Sequence, residues 1–220
     1  MENMPYQVGL EVHPVMTPHA DVRERVPRDW RSALPLLSDG RVTLRALRAS
    51  DAMSLFSMLS TEEVVRFVSP PPPDVAGFER FIEWTHAERA AGRYVCYAIV
   101  PAGYDVAMGL IQVRQLDPSF STAEIGVALG SQFWGTGVFT AAAPLVLNFV
   151  FDVIGVHRLE ARAAVQNGRG NGAMRKIGGV QEGVLRRSLH CRGQYFDQLL
   201  WSILAEDWRQ ARVELRPMVH

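Results

Sequence analysis

The stretch Ala123–Thr140, A-E-I-G-V-A-L-G-S-Q-F-W-G-T-G-V-F-T, restricts the folds open to this chain more than any other. Its first half alternates: Ile125, Val127 and Leu129 point one way and Glu124, Gly126 and Ala128 the other. A side-chain period of two marks a strand, here with one branched apolar face for a core. The opposite face carries one carboxylate and two residues with almost no side chain, which suits something lying flat against the backbone. The second half, Trp134-Gly135-Thr136-Gly137-Val138-Phe139-Thr140, runs into the apolar stretch Ala141–Val150. That reads as a glycine-rich loop opening a helix. The first amides of a helix lack internal partners and sit at the positive end of its dipole, so they attract an anion such as phosphate. The expectation is a strand, a loop and a helix that together hold a phosphate-bearing cofactor extended along the bare strand face.

A length of 220 residues fits one domain plus an appendage, and 48% hydrophobic residues suffice for a sizeable core. We place the domain at residues 38–210, an irregular arm at 1–37 and a tail at 211–220. Lys and Arg total 23, as do Asp and Glu. That neutrality argues against a dedicated binder of nucleic acid or of membrane surfaces. Cys96 and Cys191 stand far apart without CxxC or metal spacing, and the six histidines include no HxH or HxxxH pair, so no metal site is expected. The cysteine usage, the lack of an apolar run near the ~18 residues of a membrane span, and the missing basic-then-apolar leader pattern point to a reducing, cytoplasmic setting.

Upstream of the organising stretch, five prolines punctuate Met1–Leu37. Tyr6–Val12 is a candidate strand there, and the remainder reads as an arm over the body or a homodimer contact. Arg41–Arg45 alternates as a strand. Ser50 or Asp51 caps a short helix to Leu59, and Ser60-Thr61-Glu62-Glu63 resembles a capping box for one more turn. Pro70–Pro73 is an extended break. A long helix spans about Asp74–Ala91, with Phe78, Phe81, Ile82 and Thr85 on one face and Gly92 as its stop. Tyr94–Val100 and Val106–Val113 form a hairpin, so the organising strand is the third of three consecutive antiparallel strands. Beyond the glycine loop and its helix come a strand at Arg158–Ala163 and a helix at Gly170–Ile177. Two last strands, Gln181–Ser188 and Asp197–Leu204, flank an Arg192-Gly193-Gln194 turn.

Together with the residues downstream of it, Phe133-Trp134-Gly135-Thr136-Gly137 resembles the coenzyme A loop of GNAT-type acetyltransferases, and most of all that of the RimJ/RimL-like ribosomal-protein N-acetyltransferases. Further features arrive in family order: Glu124-Ile125-Gly126, then Gly155-Val156-His157-Arg158-Leu159-Glu160, then Asn167 with Lys176 and Gly178, then Glu182-Gly183-Val184-Leu185-Arg186, and Tyr195-Phe196-Asp197 with Trp201. The resemblance covers roughly Arg41–Leu204. It implies an α/β (α+β) fold with a mixed, mostly antiparallel central sheet flanked by helices, in which two splayed strands form a cleft for acetyl-CoA. The pantetheine arm would pair with the Glu124–Leu129 strand, through Val127 and Leu129, and the pyrophosphate would rest on Gly135, Thr136, Gly137, Val138, Phe139 and Thr140. The chain departs from the family at Thr136 (usually basic), Phe139 (usually Gly or Ala), Ala141 (often Glu), Gly170 (usually the serine proposed to protonate the leaving thiolate) and Gly179 (usually aromatic).

Acetyl transfer to an amine needs a base, a donor to the thioester oxygen, alignment of the reactants, and a proton or hydrogen bond for the departing thiolate. Glu124 is the candidate base, acting through a water; its bland alternative is an exposed strand carboxylate. A backbone amide near Val127 is the candidate carbonyl donor. Asn167 is either a hydrogen-bond donor to the cofactor or a turn former, and Tyr195 either a proton donor or a packed strand-end tyrosine. Arg169 and Arg175 are candidates for the 3′-phosphate or for the charge missing at Thr136, and Trp134 anchors the loop. His190 and Cys191 are placed to line an acceptor pocket. The resemblance implies a primary amine as acceptor, on a protein N-terminus or a small molecule. Two other classes stand beside this one: a non-catalytic acyl-CoA-binding module, and a nucleotide binder, against which the missing GxxxxGK[ST] pattern argues.

Overall fold

A computed structural model of the protein describes residues 29–214. The expected Tyr6–Val12 strand, most of the arm and the end of the tail lie outside the described residues. Eight strands form one sheet in the order β1-β2-β3-β4-β5-β6-β8-β7. They are β1 (Leu37–Ser38), β2 (Val42–Ala46), β3 (Tyr94–Pro101), β4 (Gly109–Gln115), β5 (Thr122–Leu129), β6 (Arg158–Ala164), β7 (Val180–Cys191) and β8 (Gln194–Leu204). Every pairing is antiparallel except β5 with β6. The mixed, mostly antiparallel sheet is the architecture the resemblance implied.

Helices cover both faces, and strand alternation decides which residue serves which. In β3 every residue is buried. Val95, Tyr97 and Ile99 join the core under α4 (Val138–Phe149), while Tyr94, Cys96, Ala98 and Val100 join the core under α1 (Ala52–Leu59) and α3 (Val75–Ala90). The remaining helices are α2 (Glu62–Val65), α5 (Gly168–Lys176) and α6 (Ala205–Glu214). α3 begins where Asp74 accepts the Gly77 amide at 2.6 Å and ends at Gly92, whose φ of +75° suits a residue without Cβ.

Two expected caps are corrected. Asp51 does not cap α1 with its side chain: its carboxylate is fully buried and takes both guanidinium nitrogens of Arg45 at 2.7 Å. It also accepts the amides of Arg48 (2.8 Å), which opens the 3-10 turn Ala49–Asp51, and of Ala107 (3.0 Å), so it closes that turn and ties it to β2 and to the segment before β4. At α2, Thr61 has the extended backbone of a cap, but its hydroxyl is buried with no partner among the described residues. There the Thr61 carbonyl, which takes the Val64 and Val65 amides at 3.1 Å, makes the turn.

Candidate functional site

Pairing between β5 and β6 lasts for three residues only: Thr122 with Arg158, Ala123 with Leu159 and Glu124 with Glu160. Beyond Glu124 the strands part. The antiparallel ladder on the other side of β5 fixes which backbone groups face the gap. Thr122 gives its carbonyl to Leu116 and Gly130 its amide to Met108, so the even-numbered residues bond toward β4. The odd-numbered ones, Ile125, Val127 and Leu129, therefore turn their backbone groups toward the gap, an unpaired edge in the middle of a sheet. The expected bare face is less bare than its sequence: a Cβ at Gly126 would lie 2.9 Å from Gln112 Nε2, because the Gln112 side chain, held by the Tyr94 hydroxyl, lies across it. What is open to a ligand is the edge.

The loop after β5 ends at the start of α4. Gly135 and Gly137 have φ of +76° and +92°, the left-handed region where a Cβ is strained. The first helical bond runs from Ala141 to the Gly137 carbonyl at 3.0 Å, which leaves the amides of Val138, Phe139 and Thr140 without helical partners. Thr136 and Thr140 spend their hydroxyl protons on the carbonyls of Phe133 (2.7 Å) and Gly137 (2.9 Å). Phe139 finds room by packing on the core beneath the helix, and Ala141, where an acid is frequent, is buried in that core. Trp134 ties the loop to the end of β5 by donating Nε1 to the Leu129 carbonyl at 2.9 Å. Arg169 lies over the Trp134 ring, 4.1 Å from its centroid, and so brings a guanidinium beside the glycine loop. Arg175, near the other end of α5, sits over Trp201 at 5.2 Å and is not brought there.

Glu124 stands at the fork. Its Oε2 accepts Arg114 Nη2 at 2.5 Å and Arg162 Nη1 at 2.7 Å, and no hydrogen bond reaches Oε1 among the described residues. The contacts continue: Arg162 to Glu160 (3.2 Å), Glu160 to Arg158 (3.0 Å), Arg158 to Glu182 (2.5 Å) and Glu182 to the Ser202 hydroxyl (2.6 Å). This chain of charges was not legible in the sequence, because Arg114 and Arg162 lie on different strands from Glu124 and meet it only through sheet register.

Asn167 is the N-cap of α5: its Oδ1 accepts the Gly170 amide at 2.9 Å, the local role the turn reading gave it, and its Nδ2 remains as a donor. A Cβ at Gly170 would stand 2.7 Å from that Nδ2. At Gly179 one would stand 2.9 Å from the Met174 carbonyl oxygen, a backbone atom, so glycine follows from close approach there, whereas at Gly170 the neighbour is a side-chain tip that can turn away. Tyr195 is 64% exposed near the β7–β8 turn, its ring packed on His190, and no contact joins it to Glu124. Cys191 is buried and its thiol donates to the Val68 carbonyl at 3.3 Å.

The family described as "Acetyltransferase (GNAT) domain" matches residues 41–180, more than half of the chain. The chain belongs to the GNAT acetyltransferase family. It is similar to the uncharacterized N-acetyltransferase p20 of Bacillus licheniformis, 25% identical over 169 residues, which are 76% of this chain and 95% of that protein. It is also similar to the spermidine N(1)-acetyltransferase of Escherichia coli (strain K12), 24% identical over 80% of this chain and 95% of that protein. RimJ of Mycobacterium smegmatis, solved in complex with CoA-disulfide, superposes with a TM-score of 0.70 at 25% identity, covering 79% of this chain and 87% of its own. The protein is thus an N-acetyltransferase with acetyl-CoA as its acetyl donor. Among the described residues no group of three or more His, Cys, Asp or Glu is placed to hold a metal, and no helix is long and apolar enough to cross a membrane.

Proposed function

We propose that this GNAT enzyme moves the acetyl group to a primary amine, at a protein N-terminus or on a small molecule, by direct attack of the amine on the thioester. The observation that carries the reading is the fork: pairing stops at Glu124, so the one carboxylate of β5 stands where the unpaired edge begins. Acetyl-CoA supplies an activated acyl group, a long arm with amides of its own and a pyrophosphate. Leu129 offers its edge amide and Val127 its edge carbonyl to the arm, as a neighbouring strand would. The amides of Val138, Phe139 and Thr140, with the flanking loop glycines and the Arg169 guanidinium, offer the pyrophosphate a cradle.

The remaining steps fall to side chains at the fork. Free alkyl amines have pKa near ~10, so the acceptor must lose a proton before it attacks. Glu124 takes it through a water at Oε1, the oxygen its two arginines leave open, while those arginines fix the carboxylate's orientation. The Val127 amide donates to the carbonyl oxygen as charge builds there. Asn167 Nδ2 donates to the departing thiolate, with its Oδ1 anchored on the Gly170 amide.

A screen for CoA release over free-N-terminal peptides and small amines tests the proposal, run with wild type and Glu124→Gln. We expect release with at least one amine and its collapse in the variant, with CoA affinity retained. Unchanged turnover by the variant at saturating CoA would remove Glu124 from its role.

A further inference from the structure

An open cavity of about 340 Å³ lies between the end of α2 and the β7–β8 turn. Its floor is aromatic: Phe67 and Phe196 meet edge to face with ring centroids 6.2 Å apart. Arg66, Arg192, Gln166, Gln194 and Cys191 complete its lining, and no carboxylate residue lines it among the described residues. The cavity opens on the same sheet face as Glu124. Phe196 alternates with Ser202 on that side of β8, and Ser202 ends the chain of contacts that starts at Glu124. Ala164, which packs with Phe67, Phe196 and Cys191, lies four residues beyond Glu160 on β6, about 13 Å at a strand's rise per residue. A molecule seated over the two rings can therefore reach the fork with its far end.

Charge decides what kind of molecule. Arg66 lies 5.2 Å from the Phe67 ring centroid and has no carboxylate partner among the described residues. Arg192 meets Glu62 at 3.5 Å, but that carboxylate is 86% exposed, and such pairs are weak and readily exchanged. The acids along the face, Glu124, Glu160 and Glu182, are each already held by an arginine. Those acids are committed, while two planar forks suited to carboxylate or phosphate stand at the rim.

We propose that the preferred acceptor is a primary amine that also carries an anionic group beside an apolar body, with Arg66 and Arg192 selecting the anion. This deepens the transfer reading and rests on it. The test is a set of matched pairs assayed by CoA release: 4-(2-aminoethyl)benzoate against 2-phenylethylamine, and an amidated tetrapeptide with two glutamates against the same peptide with two glutamines, with spermidine as the polycation. We expect kcat/KM at least about tenfold higher for the anionic member, the worth of one charge-assisted hydrogen bond; whichever pair turns over faster tells a small acceptor from a peptide. Arg66→Gln with Arg192→Gln should bring the ratio toward one, and the double Glu substitution should invert it. Equal rates within both pairs, or a preference for spermidine, overturn the inference and leave amine transfer intact. Calorimetry on the CoA-loaded protein, with the N-acetyl products of the first pair as probes, needs no turnover. Equal affinities there overturn the inference as well; a tenfold preference without CoA release from any amine sustains the pocket and overturns the transfer reading.

Discussion

Arg45 with Asp51, and Arg114 and Arg162 with Glu124, are both guanidinium–carboxylate groupings, set at different depths of the same sheet. Asp51 has no exposed surface and four donors: two from Arg45 and two backbone amides. Burial by itself would raise its carboxyl's pKa, but the hydrogen bonds from Arg45, Arg48 and Ala107 outweigh it and hold the value below the usual range. Glu124 keeps 18% of its side chain exposed, takes both arginines on one oxygen and leaves the other open. A pair with every lone pair assigned can only hold structure together. A carboxylate oriented through one oxygen still has another for chemistry.

The contrast breaks first at its closed member. Asp51→Ala leaves Arg45 buried and unpaired, and we expect a loss of about 3–5 kcal/mol in urea unfolding; a loss under about 1 kcal/mol would make the pair no better than a surface one. Glu124→Gln should lower kcat by about 10²–10⁴, the usual worth of a positioned base, with stability changed by no more than about 1 kcal/mol. The opposite pattern, intact kcat and a large loss of stability, would place Glu124 in the same class as Asp51. At the loop, Arg169→Ala should weaken CoA binding about tenfold while Arg175→Ala leaves it nearly unchanged; equal effects would contradict the placement of Arg169 over Trp134.

The smallest effect concerns acid. Glu182, hydrogen-bonded first by Arg158 and then by Ser202, has its pKa held down to about 2. A carboxyl depressed in the folded state stabilises above its unfolded value, near ~4.3, and that contribution fades as pH falls from there through about 2. Because 37% of the Glu182 side chain is exposed, solvent screening limits the effect to at most about 1 kcal/mol. Melting curves of wild type and Glu182→Gln should therefore converge between about pH 4 and pH 2, by an amount much smaller than Asp51→Ala costs at neutral pH.

What was legible in the sequence was local. Alternation marked β5, Gly92 marked the end of α3, and the asparagine before Gly168 was readable as a turn former because its partner, the Gly170 amide, lies three residues on. Asp51 misled because an acid before an apolar helix reads the same whether it caps that helix or lies buried with a distant arginine. The partners of Glu124 are 10 and 38 residues away and are assigned by register, which no periodicity encodes. Arg169 and Arg175 were indistinguishable as helix residues, and only the Trp134 and Trp201 rings separate them. The arginine-rimmed cavity draws on α2, the end of β6 and the β7–β8 turn, so it has no linear signature.

The closeness of Asn167 to Gly170 sets an order for anyone re-engineering the enzyme. A hydroxyl installed at 170 would crowd only the tip of that side chain, whose free amide can turn aside while its oxygen keeps the first turn of the helix. A designer who wants a proton source there can begin at 170 and let the asparagine adjust, keeping the residue on which the turn depends.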